Sequence, residues 1–209
     1  MPLFGARPIR RVPGRETRKN YWVRTLPWYN RCVLNIRDAT SSDVPLILQF
    51  IRELAEYEEA PEQAVATAED LLRHGFSAHP KFRVLIAEWQ CEPAAFALFF
   101  YHYSTWLGRP TLFLEDLFVR PRFRGKGIGK TLLLRLAKIA ISEGCGRFEW
   151  QVLDWNTPAI KFYQSLGAEV MKEWLTMRVS GEGLLRLASQ TRDESRRGEN
   201  RSVSACELA

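Results

Sequence analysis

Apolar and polar positions follow two rhythms along the chain. Val33 to Arg37 alternates, as a half-buried strand does. A Thr40-Ser41-Ser42-Asp43 cluster then gives a helix N-cap signal. Val44, Ile47, Leu48, Ile51, Leu54 and Ala55 recur at helical spacing and predict a first helix, ending at Tyr57-Glu58-Glu59. Thr67 to Asp70 caps a second helix over Leu71–Phe76. Three strand patterns follow at 83–88, 94–103 and 111–119, the first two joined by a turn at Cys91-Glu92-Pro93. Pro121 stops the last of these, because proline cannot donate to a strand ladder. Leu132, Leu133, Leu136, Ala137, Ala140 and Ile141 return to helical spacing, and Gly144-Cys145-Gly146 ends that helix. A strand over 147–153, parallel to 112–119, comes next. Pro158 and Gly167 bracket a short helix. Glu169 to Val179 reads as a final strand, and 184–188 as a closing turn.

Composition narrows the classes. The 209 residues suffice for one α/β domain with a proper core. No apolar run reaches the ~20 residues of a membrane span, so a membrane partner is not expected. Cys32, Cys91, Cys145 and Cys206 are scattered, as are His74, His79 and His102. No metal site is expected, and free thiols fit a cytoplasmic setting. The net charge of +6 is uneven, since residues 1–34 carry eight Lys/Arg and one acid. Residues 1–33 read as a basic, disordered arm, or as sequence ahead of a true start near Val33. Residues 34–188 read as the domain and 189–209 as a disordered tail.

Chemistry concentrates at residues 113–131. A strand, a glycine-rich turn and a helix in that order make an anion site, because first-turn N–H groups and the helix dipole face the ligand. Arg124, Lys126 and Lys130 add charge. A Walker A loop fails because its opening glycine is replaced by Arg124. A dinucleotide fingerprint fails because Gly125, Gly127 and Gly129 alternate and Lys130 stands where its third glycine belongs. Arg124-x-x-Gly127-x-Gly129 instead resembles the pyrophosphate loop of the GCN5-related N-acetyltransferases (GNAT). Asn156 to Ala168, with Phe162-Tyr163 and Leu166-Gly167-Ala168, resembles that family's second diagnostic stretch. The resemblance covers 34–188. It is nearest the diamine (spermidine/spermine N1-) acetyltransferase branch, through 53–58, 103–108, 114–119 and Trp155-Asn156-x-Pro158. That branch also contains enzymes for thialysine and related amines.

The resemblance implies a single α/β GNAT domain: a mixed, mostly antiparallel sheet with splayed central strands and helices on both faces. It implies N-acetylation of a small polyamine or diamine by acetyl-CoA as co-substrate, through direct attack in a ternary complex. The backbone of Gly125, Lys126, Gly127, Ile128, Gly129 and Lys130 would take the pyrophosphate, with Leu117, Phe118 and Val119 along the pantetheine. Glu149, Trp150 and Gln151 would line its other side, and Asn156, Thr157, Pro158 and Ala159 the thiol end. An alkylammonium is almost fully protonated at neutral pH, so a carboxylate must take its proton; Glu115 holds that place, with Asp116 beside it. Tyr163 matches the general acid for the leaving thiolate. Tyr57, Glu58, Trp106 and, more weakly, Glu173 match the amine channel. Ala60-Pro61 interrupts the acidic run there, which leaves polyamine selectivity open. Cys145, between two glycines, is not read as a nucleophile. The resemblance further implies a homodimer.

Two alternatives stand beside this reading. One is acetylation of thialysine, a lysine-like amino acid or a protein amine. The other is no enzyme at all but nucleic-acid binding through the basic arm, which the near-neutral domain disfavours.

Overall fold

The computed structural model describes residues 33–197. Residues 1–32 of the arm read at 1–33, and the last residues of the tail, from 198 on, lie outside the described residues. The chain forms two compact units, one ending at Gln151 and one beginning at Val152.

The first unit is built on a five-stranded sheet in the order β1-β2-β3-β4-β5. The strands are β1 (Leu34–Asp38), β2 (Arg83–Trp89), β3 (Glu92–Ser104), β4 (Arg109–Val119) and β5 (Arg147–Trp150). β1 to β4 pair antiparallel, and β5 joins β4 in parallel, as a strand returning through a helix must. Helices α1 (Val44–Tyr57) and α2 (Ala68–Gly75) lie between β1 and β2, and α3 (Ile128–Ser142) between β4 and β5. Thr67 caps α2, its hydroxyl accepting from the Asp70 N–H at 3.1 Å.

Strand alternation sorts the core onto the two faces of the sheet. Val84, Ile86, Phe96, Leu98 and Phe118 share one face and are buried against Val44, Ile47 and Phe50 of α1 and Leu71 of α2. Phe50 stacks on Phe96 with ring centroids 5.2 Å apart. Leu85, Ala87, Ala95, Ala97 and Phe99 point the other way. Buried Leu132, Leu133 and Leu136 of α3 cover that second face.

Two local irregularities shape β4. Leu98 pairs with Asp116 while Phe99 pairs with Leu114, so Glu115 is an extra residue, a β-bulge that bends the strand. The ladder with β5 spans only Thr111–Leu114 against Arg147–Trp150. β4 therefore runs on through Glu115–Val119 with no strand of the described residues along its β5 side. The open stretch arises where β5, the edge strand, ends at Trp150, and not from two central strands diverging.

The second unit holds α4 (Thr157–Ser165) and α5 (Gly181–Arg197). Two expectations are corrected here. Residues 169–179 form no strand: apolar and β-favouring residues supply a pattern, but a strand exists only against a partner, and no ladder includes them. The closing turn expected at 184–188 is part of α5, which continues to Arg197 and so takes in the start of the segment read as a tail. Arg186 and Glu182, four apart and 3.5 Å from each other, support that helix.

Candidate active site

β4 delivers two things to one region: a bulged acidic pair, and a glycine loop that opens α3. The loop leaves β4 at Arg120, makes a single 3-10 turn over Pro121–Phe123 and reaches Gly127, the N-cap of α3. Gly125 and Gly127 have φ of +75° and +78°, the left-handed region that glycine enters without strain. A side chain on either would meet nothing within 4 Å, so backbone conformation rather than crowding calls for glycine. Buried Phe123 and Ile128 pin the flanks, while residues 124–127 are exposed. The result is a row of outward backbone N–H groups at a helix N-terminus, with exposed Lys130 alongside, which suits a pyrophosphate. Lys126 Nζ lies 5.2 Å from the Trp89 ring.

Arg124 is folded back onto the protein. Its Nε donates to the Val119 carbonyl at 3.0 Å, and its guanidinium sits 4.5 Å over the Tyr57 ring and 5.8 Å over that of Phe118. The structure thus brings Tyr57, Phe118 and Arg124 together. Tyr57 supports the loop, a placement the sequence reading did not foresee.

Asp116 has two acids near enough to act on its charge, Glu115 and Glu58. Asp116 pairs with Leu98, on the sheet face that α1 covers, and is half-buried; Glu115 at the bulge is exposed. Burial first, then the charges of Glu115 and Glu58, push the Asp116 carboxyl up to about 7. Burial raises Glu58 too. The group that titrates near neutrality is therefore Asp116, whereas the sequence reading put the weight on its neighbour Glu115. Alternation alone cannot tell which of two adjacent acids turns toward a helix once a bulge intervenes.

Other expected site residues sit as follows. Leu117 and Val119 are half-buried on β4 and Phe118 is buried. The Trp150 ring packs against Phe148 at a 54° tilt, centroids 4.9 Å apart, and Gln151 closes the unit. The Glu149 carboxylate is held by Arg147 at 3.0 Å and His102 at 3.3 Å, partners that sequence spacing did not show. Trp106 lies in the β3–β4 turn and is 85% exposed. In the second unit Asn156 caps α4, accepting from the Ala159 N–H at 3.3 Å, with Thr157 and Pro158 in the first turn. Tyr163 lies on α4 with its ring 5.4 Å from that of Phe162. Glu173 is exposed in the strandless segment.

Two residues have a partnership that the sequence does not show: Arg120, which no motif includes, and Glu53, which opens the 53–58 stretch but carries no role there. Arg120 donates Nε and Nη2 to the Glu53 carboxylate, both at 2.8 Å, and Nη1 to the Pro93 carbonyl at 2.8 Å. Nothing local marks the pairing, since 67 positions separate the two. Among the described residues there is no group of His, Cys, Asp and Glu able to hold a metal ion. Nor is any described helix long and apolar enough to cross a membrane.

A mixed sheet with a bulged strand feeding a glycine-rich helix N-terminus defines an acyltransferase class. The acetyltransferase (GNAT) family model matches residues 47–168. A thialysine N-epsilon-acetyltransferase from Sus scrofa is 39% identical over 166 residues, covering 74% of this chain and 97% of that protein. The human spermidine/spermine N(1)-acetyltransferase-like protein 1 is 39% identical over 163 residues, covering 73% of this chain and 23% of that one. An integron cassette protein from V. cholerae superposes with a TM-score of 0.65 at 30% identity, over 75% of this chain and 98% of that one. The chain belongs to the GNAT family, and it is an acetyltransferase.

Proposed function

We propose that the enzyme moves the acetyl group of acetyl-CoA to a terminal primary amine on a short alkyl chain, by direct attack. The observation that carries this reading is the acidic group at the β4 bulge: Asp116, half-buried and raised first by that burial and then by Glu115 and Glu58, one strand-end away from a phosphate-type loop. Acids select a cation and can take its proton, and the loop suits the anionic end of the other substrate. Among the acceptors at issue, a thialysine-like or lysine-like amino acid leads. The Sus scrofa relative is matched over 97% of its length, the human polyamine-type relative over 23%. A small polyamine is the second reading, favoured by three carboxylates in one place.

The residues present fit acetyl-CoA. The N–H groups of Gly125–Lys130 would hold the pyrophosphate, and the β4 edge beyond Leu114, free of a strand partner, would run beside the pantetheine. Glu149, Trp150 and Gln151 would lie on the β5 side, and Asn156 to Ala159 at the thiol end. Acetyl-CoA supplies the activated acyl group. Glu115 and Asp116 hold the ammonium and accept its proton, directly or through water. Glu58, Tyr57, Trp106 and Glu173 shape the amine channel. Tyr163 gives a proton to the departing thiolate. Cys145 supports no covalent route, because burial pushes its thiol up and away from the thiolate. We also read the enzyme as a cytoplasmic homodimer. Exposed Leu175, Met177, Val179, Leu184 and Leu185 of the second unit support an apolar contact between copies.

The test is purified protein with acetyl-CoA and a panel of thialysine, lysine, ornithine, putrescine, spermidine and a lysine-containing peptide, scored by free thiol and by the mass of the acetylated product. Turnover on thialysine or lysine is expected. Turnover on spermidine alone would move the reading to polyamines, and turnover on the peptide alone would overturn both.

A further inference from the structure

The stem of the glycine loop is bonded within itself and to β4, and it is also tied to α1. The space where a side chain would stand at Gly125 and Gly127 is empty to 4 Å, and the side-chain ties that orient the loop lie at its stem, residues 120–124. Both ends of that stem are tied to one face of α1. Glu53 and Tyr57 are four apart on the helix and so lie one above the other. Glu53 takes Arg120 in a two-pronged ion pair, and Tyr57 lies under the Arg124 guanidinium at 4.5 Å. Arg120 also reaches the Pro93 carbonyl and lies 4.5 Å over the Phe50 ring, and its backbone N–H donates to Ala94. Its side chain is only 13% exposed. An ion pair this enclosed rarely beats packed apolar side chains as a source of stability. What the planar fork adds over an apolar contact is direction, fixed by two parallel hydrogen bonds.

We propose that Arg120 and Glu53 are a positioning pair for the acyl-CoA loop, with Tyr57 and Arg124 as its second tie. This inference rests on the acetyl-CoA reading above. α1 then sets where the loop's N–H groups point, and preorganised donors bind more tightly than donors that must first be ordered.

The test is calorimetric titration of coenzyme A into the full chain, with thermal melts and steady-state kinetics, for Glu53→Gln, Arg120→Lys, their double variant and Tyr57→Leu. Loss of either ion-pair partner is expected to weaken coenzyme A by about tenfold. The KM for acetyl-CoA should rise in step while the KM for the amine stays within about twofold. The double variant should be no worse than the worse single, because the two share one interaction. Arg120→Lys keeps the charge but not the fork, so it should not rescue. Tyr57→Leu tests the second tie at a partly exposed site, where folding is not at stake. Lower melting temperatures with unchanged coenzyme A affinity in Arg120→Lys and Tyr57→Leu would overturn the proposal and leave the pair a stability element. If the unsubstituted protein takes up no coenzyme A, the acetyl-CoA reading fails first and takes the proposal with it.

Discussion

Asp116 ties stability to pH in a way that carries a sign. Burial, Glu115 and Glu58 raise its carboxyl from the ordinary range to about 7. Between the unfolded and folded values the native state keeps a proton that the unfolded chain has released, so stability falls as pH rises through that window. Above about 7 both states are ionised and the full penalty remains. Asp116→Asn should therefore flatten the fall in melting temperature between pH 5 and pH 8. At pH 8 it should be the more stable protein, by at most about 4 kcal/mol. Denaturant melts at the two pH values check this; parallel falls in both proteins would remove Asp116 as the titrating group. Tyr163 carries the other residue-scale prediction. Tyr163→Phe should lower kcat by about 10² or more and leave coenzyme A binding intact, as loss of a general acid does. Stopped-flow thiol release and equilibrium titration separate the two effects.

At the scale of elements, the glycine loop is the piece the sequence displayed most clearly. Its chemistry is local: backbone conformation, a helix start and a strand stop lie within twenty residues, and local signals are what a sequence carries. Gly127→Ala forces a left-handed alanine, which costs about 1–2 kcal/mol, and should raise the KM for acetyl-CoA more than it lowers kcat. Steady-state kinetics with each substrate varied would show the split. The same reasoning explains what stayed hidden. The Arg120–Glu53 pair depends on α1 crossing the end of β4, a tertiary fact with no local trace. The bulge at Glu115 breaks the alternation that would have assigned Asp116 to the α1 face. Residues 169–179 show the converse: a clear strand pattern without a ladder. Strand pairing is decided by the partner, and a pattern names only the faces.

At the scale of the molecule, two helical layers on opposite faces hold one sheet, and that sheet places loop and acids at the same strand end. Phe50 lies at the centre of the α1 side, fully buried between Phe96 and Phe118 and beneath Arg120. Phe50→Ala should cost about 3–5 kcal/mol, and should weaken coenzyme A as well, since it removes the floor under the positioning pair. Urea melts and calorimetry on the same sample would link the two. The proposed reaction, direct acetyl transfer from acetyl-CoA to a small terminal amine, requires both substrates on the enzyme at once. The measurement that tests it most directly is the initial velocity of thiol release with thialysine and acetyl-CoA both varied. Double-reciprocal lines that intersect are expected, because both substrates must be present together. Parallel lines would reveal a covalent acetyl-enzyme and contradict the mechanism; no thiol release with any amine of the panel would contradict the account itself.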